Sequence, residues 1–364
     1  MSKRIERIMF VIAMLILVIL TLRACPAGAQ LDRFMGGQGA VGNGAPPQQA
    51  VVGPYHVDFT DRLCVSDYSN YEARCVVMGT VQRLAGFSGR PVGIARDPAD
   101  NRVYVSTFKS TAPVVPAGLW VVEPSGGVRA LPIGTTTAPY GLALFGGFLW
   151  WTDQQGNGFW RLPTPCLTGC TPQVMIPPGT LLNPQDVDCR LGLGCLIADT
   201  SHHRVVLFDL ASNVSTVAGI GTMGFSGDGG SALAAQLAFP SGLAITATGQ
   251  VIIADSVNNR VRRFIIGGTI QTVAGNGQQN TAKLLPAANQ NPLTFPITNP
   301  QGVATDGSTV FVGSNFVGAI YDFPLGGGPV TTVTATRTLA ATPTNTMVAT
   351  ATATALRTCN VPCD

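Results

Sequence analysis

The stretch from Phe239 to Gly277 constrains the fold most. It holds four short runs rich in β-branched and apolar residues: Gly242-Leu243-Ala244-Ile245, Val251-Ile252-Ile253-Ala254, Val261-Arg262-Arg263-Phe264-Ile265 and Thr269-Ile270-Gln271-Thr272-Val273. Each has the length and composition of a strand. Thr248-Gly249, Asn258-Asn259 and Gly267-Gly268 separate them as turns. The stretch therefore predicts a four-stranded antiparallel meander. Such a sheet has two apolar faces and cannot bury them alone, so it requires copies of itself on either side.

The copies are present, each opened by a proline: Pro54, Pro91, Pro139, Pro184, Pro240 and Pro300. Pro184-Gln185-Asp186-Val187 leads to Leu196-Ile197-Ala198-Asp199, and Pro300-Gln301-Gly302-Val303 leads to Val310-Phe311-Val312-Gly313-Ser314. Pro139-Tyr140-Gly141 precedes Leu149-Trp150-Trp151-Thr152-Asp153, and Pro91-Val92-Gly93 precedes Val103-Tyr104-Val105-Ser106. The first copy, from Pro54-Tyr55-His56-Val57 to Val81–Gly86, is the most diverged. Units of about 40 residues repeated in this way predict an all-β fold, a six-bladed β-propeller of four-stranded antiparallel blades. The sequences P-S-G-L-A, V-I-I-A-D, N-N-R-V-R and T-V-A-G, with Gly224-Phe225-Ser226-Gly227-Asp228-Gly229-Gly230, resemble the NHL-repeat propellers. That resemblance implies a fold and a habit of binding. It names no reaction, because one fold hosts many functions.

Around the repeats the chain divides by composition. A basic start, the apolar run 8–22 and Ala27-Gly28-Ala29 read as a secretory signal peptide over residues 1–29. The run falls short of the roughly 20 residues of a spanning helix, so no stable membrane span is expected once the signal is removed. A retained anchor and a lipid-modified Cys25 are the alternatives. Residues 30–50 read as a flexible Gly/Pro-rich leader, 51–334 as the propeller, and 335–364 as a Thr/Ala-rich tail with a small Cys359–Cys363 loop. The tail is either an exposed stalk or a plain disordered segment. The signal takes four of the 22 basic and one of the 19 acidic residues, leaving 18 of each. A neutral exported chain offers no basic face, which argues against nucleic acid as a partner.

Eight cysteines remain beyond Cys25, in close pairs: Cys64 and Cys75, Cys166 and Cys170, Cys189 and Cys195, Cys359 and Cys363. An even set in an exported chain reads as disulfides. The repeat register places Cys64 and Cys75 across a hairpin of blade one, and Cys189 and Cys195 beside the first hairpin of blade four. Zinc is the weaker alternative, since the pairs belong to different blades.

The candidates for chemistry are few. Asp67, Asp153, Asp199 and Asp255 each end the second strand of a blade, with Ser106 and Ser314 in the other two. They form either an acidic ring for a cation or a set of turn braces, bonded to their own turns or to Arg204 and Arg260. Recurrence from blade to blade favours the braces. Of three histidines, His202 and His203 occupy turn positions, and His56 stands where other blades carry glycine. The lyases of the resembled fold hold zinc with several histidines, a set this chain lacks. Related lactonases use Glu, Asp and Asn around the central channel. Here the mature chain has only Glu72 and Glu123, off the predicted inner strands. No G-x-S-x-G elbow occurs. No cofactor is expected.

The Gly-rich run Gly219–Leu237 lacks the lysine of a phosphate loop and reads as a long connection on the rim, with one helical turn at Ser231–Leu237. Phe225, Asp228, Trp151, Arg204 and Arg260 are the candidate rim contacts. The four tryptophans form either an aromatic platform or inter-blade packing, and packing is preferred. Asn213-Val214-Ser215 is a glycosylation sequon. These observations predict a secreted or surface-held (extracellular or periplasmic) non-enzymatic propeller that binds a protein or glycan partner. A metal-dependent hydrolase or lyase is the first alternative. A structural component of an extracellular assembly, self-associating through the tail, is the second.

Overall fold

A computed structural model describes residues 53–325, apart from 79, 109, 112–113, 116, 135–136, 168 and 281–290. From Pro54 onward each group of β-branched runs folds into an up-and-down sheet. Blade one comprises β1 (Pro54–Phe59), β2 (Leu63–Asp67), β3 (Glu72–Val77) and β4 (Thr80–Gly86), hydrogen-bonded in that order. Blade two comprises β5 (Arg90–Arg96), β6 (Val103–Phe108), β9 (Gly118–Val122) and β10 (Val128–Ala130). A small hairpin, β7 (Ser110–Thr111) and β8 (Val114–Val115), interrupts it, a feature the repeat pattern did not predict. Blade three runs β11 (Pro139–Phe145), β12 (Phe148–Asp153), β13 (Gly158–Pro163), β14 (Gln173–Ile176), and blade four β15 (Asp186–Arg190), β16 (Gly194–Asp199), β17 (Arg204–Asp209), β18 (Val214–Ala218). Blade five, the pattern-setter, runs β19 (Pro240–Ile245), β20 (Gln250–Asp255), β21 (Arg260–Ile265), β22 (Ile270–Ala274). Its turns hold Gly249, Asn259 and Gly267 at φ of +79°, +52° and +75°, a region open to glycine and tolerated by asparagine.

Blade six shows β23 (Val303–Thr305), β24 (Thr309–Ser314) and β25 (Ala319–Pro324). The fourth strand expected at 330–333 lies outside the described residues, as do the signal, the leader and the tail. Among the described residues no helix is long and apolar enough to cross a membrane.

The inner strands β1, β5, β11, β15, β19 and β23 each touch the next, and β1 also touches β23, so the sheets close into a six-membered ring. The core lies between blades. Leu196, Ala198 and Val205 of blade four meet Leu243, Val251 and Ile253 of blade five. Full burial of each of these valine, leucine and isoleucine side chains is worth about 1.5–3 kcal/mol. At the closing seam Val57, Val65 and Val81 of blade one meet Ala304, Phe311 and Ile320 of blade six. Phe59 stacks on Phe311 with ring centroids 5.7 Å apart. Blade one supplies all four of its own strands, and the seam among the described residues is made by side chains.

Candidate functional site

The site is the central channel, and proline register builds it. Two residues after the anchoring prolines stand His56, Gly93, Gly141, Asp186, Gly242 and Gly302. In blades one, two and five the strand pairing shifts between the proline and this residue, a bulge that turns the position toward its neighbour. A side chain at Gly93 would collide with Tyr140 O, at Gly141 with the Asp186 backbone and at Gly242 with Gln301 O, and at Gly302 its Cβ would lie 2.8 Å from His56 Cα. Glycine is needed at these four because the next inner strand passes so close. The two exceptions belong to blades one and four, which face each other across the ring. Their side chains meet: His56 Nε2 lies 2.9 Å from Asp186 Oδ1. The fully buried Asp186 also accepts from Val187 N at 2.8 Å and, through Oδ2, from Leu243 N at 2.8 Å. His56 Nδ1 is buried and has no hydrogen-bond partner among the described residues.

Two residues further along, the same two blades again differ from the rest. Asp58 and Asp188 face a layer otherwise made of Ala95, Ala143, Ala244 and Ala304. Asp58 Oδ2 accepts from Arg96 N at 3.1 Å and Asp188 Oδ2 from Ile245 N at 2.7 Å. A cavity of about 230 Å³ opens here, lined by His56, Asp58, Arg96 and Asp188 and walled by aliphatic residues such as Leu142 and Leu243. Burial pushes the Asp58 carboxyl up to about 6, against the pull of His56 and Arg96. Burial pushes Asp188 up to about 7; the Ile245 amide opposes this, and the Asp186 and Asp58 carboxylates add to it. Burial works to lower His56, but Asp186, Asp58 and Asp188 outweigh it and hold the imidazole above its ordinary value. The arrangement can bind positive charge or hold a proton. Among the described residues no three His, Cys, Asp or Glu side chains come together as a metal site.

Asp67, Asp153, Asp199 and Asp255 point inward as braces. Their Oδ1 atoms accept from Gly53 N, Ala138 N, Leu182 N and Ala238 N at 2.7–2.9 Å, fixing the connection that enters each blade. The same carboxylates hold the following turns through Asn70, Gly156, His202 and Asn258. Arg204 pairs with Asp199 at 2.7 Å. The expected Arg260–Asp255 pair is corrected: Arg260 donates to Asn258 O and Asn276 O, while the fully buried Arg262 pairs with Asp255 at 3.4 Å. Residues 260 and 262 share a face of β21, and the inner one reaches the brace.

The connection 219–237 folds back on blade five, with a short helical turn at Ala232–Ala234. Asp228 is held by Arg262 at 2.8 Å and by Thr272 at 2.7 Å. Phe225 is 40% exposed, with Arg260 stacked 3.8 Å from its ring centroid. Trp151 is corrected from rim to core. It is fully buried between blades two and three and stacks on Trp160, because both faces of a blade are covered and adjacent Trp150 and Trp151 point to opposite ones. Asn213 is exposed and donates to Asp209 at 3.0 Å.

Disulfides join Cys64 to Cys75, Cys166 to Cys170 and Cys189 to Cys195. The first and third link residues directly opposite across a hairpin. Cys359 and Cys363 lie outside the described residues. The sequence reading missed the His56–Asp186 crossbar and the two carboxylates beside it. The signal was present: Asp186 occupies the glycine slot of its repeat just as His56 does.

Residues 237–264 match the NHL repeat. None of the curated proteins matches this chain. Among solved structures it is similar to an auxiliary nutrient binding protein from Bacteroides thetaiotaomicron, with TM-score 0.59 and 13% identity over 79% of this chain and 74% of that one. A chain of the nidogen/laminin complex aligns with TM-score 0.53 and 14% identity, over 71% and 87% of the two. A streptogramin B lyase aligns with TM-score 0.50 and 12% identity, over 75% and 83%. At such identities the likeness is one of fold. The chain is a six-bladed β-propeller that carries an NHL repeat in its fifth blade.

Proposed function

We propose that the chain is an exported, non-enzymatic binding propeller that meets a protein or glycan partner through the loop face of blade five. One observation carries the reading. Phe225 is presented half-exposed on a connection whose neighbours Asp228, Arg260 and Arg262 are already fixed by hydrogen bonds. An aromatic ring backed by arginine, and ordered before binding, is the kind of anchor that dominates interfaces. The disulfides are consistent with an oxidising compartment and support export through the predicted signal 1–29. The exposed Asn213 sequon and the Thr-rich tail suit a surface glycoprotein, with the tail as a stalk or as the joining element of an assembly. The likeness to a nutrient binding protein and to the nidogen/laminin complex supports a binding or assembly role.

The test screens the full chain against glycan and peptide arrays, then repeats the strongest hit with Phe225→Ala. Binding should weaken at least about 10-fold with unfolding temperature unchanged; undiminished binding refutes the blade-five face. Peptide mapping without reductant should recover the three disulfides, and free thiols throughout would refute export. A hydrolase or lyase is the second reading, favoured by an imidazole paired with a buried carboxylate in a cavity, an arrangement suited to a general base. Turnover of an ester or lactone that His56→Ala abolishes would replace the first reading.

A further inference from the structure

We infer that the channel mouth between blades one and four seats an alkylammonium group, a protonated primary amine on a short aliphatic stem, between Asp58 and Asp188. This seat is separate from the blade-five face and does not rest on it. The first ground is symmetry. Six inner strands present equivalent positions, and both channel layers are glycine or alanine except in the two opposed blades, which supply His56 with Asp186 and Asp58 with Asp188. Nothing in the repeat pattern calls for carboxylates there.

The second ground is unsatisfied chemistry. His56 is nine-tenths buried and lines the cavity, and its Nδ1 has no partner among the described residues. When the imidazole is neutral and gives Nε2–H to Asp186, its Nδ1 is a bare acceptor suited to an N–H donor. Asp58 and Asp188 line the cavity, Asp61 and Asp186 act on them electrostatically from beside it, and the guanidiniums nearby are those of Arg96 and Arg62. Arg96 is committed to Asp61 and Asn101. Asp188 faces Asp186 and Asp58, with backbone amides as its donors. An excess of buried carboxylate draws in positive charge.

The third ground is shape. The cavity of about 230 Å³ lies below the roughly 300–1,000 Å³ of drug-sized sites, and its walls include Leu142, Leu144, Leu243 and Ile245. Aliphatic walls ending in carboxylates fit an alkyl stem ending in an ammonium, whereas a bare divalent ion would leave the walls idle and finds no preformed ligand set among the described residues.

The experiment is calorimetric titration of the full chain with n-butylammonium chloride at pH 8. One equivalent should bind, and n-butanol should bind at least about 10-fold more weakly. Asp188→Asn and Asp58→Asn should each weaken the amine by at least about 10-fold while circular dichroism stays unchanged. In the unmutated protein, protons should compete, so affinity should fall by a similar factor from pH 8 to pH 5. Nα-acetyl-lysine methylamide forms a second arm: tighter binding than butylammonium assigns the seat to a protein lysine, weaker binding to a free amine. Equal affinity for butanol, no pH dependence, or stoichiometric displacement of the amine by calcium chloride would overturn the inference.

Discussion

Replacing Arg262 with methionine tests whether one buried cation holds the loop face together. Its side chain is fully buried, and its donors reach Ser226 O at 2.9 Å, Asp228 at 2.8 Å, Gln236 O at 3.3 Å and Asp255 at 3.4 Å. Methionine keeps the apolar stem and removes every one of these bonds. Asp255 would then be a buried carboxylate without its cation, retaining Ala238 N and Asn258 Nδ2. Breaking a buried pair by removing one partner costs about 3–5 kcal/mol. For a domain of this size each kcal/mol lowers the unfolding temperature by roughly 2–4 °C, so a drop of about 10 °C is expected. Thermal unfolding at pH 8 measures it, and hydrogen exchange should show lost protection across 226–238. Arg260→Met is the control. That residue is part-exposed and bonds two carbonyls, so its loss should cost only about 1 kcal/mol. Burial pushes the Asp255 carboxyl up to about 6, so at pH 5 it is largely neutral and the Arg262→Met penalty should shrink. Equal losses for the two arginine variants, or a penalty that grows toward pH 5, would refute the reasoning.

The raised carboxylates of the channel and of the blade-five brace predict an inverted pH profile. Asp58, Asp188 and Asp255 have folded values of about 6, 7 and 6, above their unfolded value. Their contribution is therefore fully present below about pH 4 and is lost as pH rises through 6–7, with the raised His56 adding the same sign. His203, lowered by burial and by His202, opposes it from a partly exposed position. Unfolding temperature should fall from pH 5 to pH 8, and Asp188→Asn should flatten the slope; a rise over that range would refute the assignment. At the seam, closure by side chains predicts faster hydrogen exchange in β1 and β23 than in β19, and equal protection in all three would count against it.

Blade architecture was legible because it depends on local chemistry that recurs. Thr248-Gly249 and Gly267-Gly268 mark turns by backbone freedom alone, and Val251–Ala254 marks a strand by composition. The second-strand aspartates could be read as braces because a brace must recur wherever the turn recurs. The channel was harder, since its chemistry lies in departures from the repeat: Asp186 looks like a worn glycine until it is set against His56, 130 residues away. Trp151 is a rim candidate in the sequence although packing is the preferred reading of the tryptophans, and packing is its role. An aromatic residue beside a strand end carries no mark of which neighbouring blade will cover it, and only the closed ring decides. Arg260 and Arg262 differ by one strand period, and which of them reaches Asp255 depends on the folded-back connection 219–237.

The His56–Asp186 pair bears on how such a ring comes apart. In a chain of repeats each unit is held by its sequence neighbours, so the first and last units are the free ends. Here the first blade is also tied to the fourth by a chord across the ring, anchored in the fully buried Asp186. If the seam parts, blade one cannot swing outward by itself. It must first break that bond and leave Asp186 without its histidine, and its departure would loosen Leu243 N, which the same carboxylate holds. Strain at the terminal blade is thus felt in blades four and five. The seam remains the first place to open, but the chord limits how far blade one can part from the ring before a bond on its far side must break.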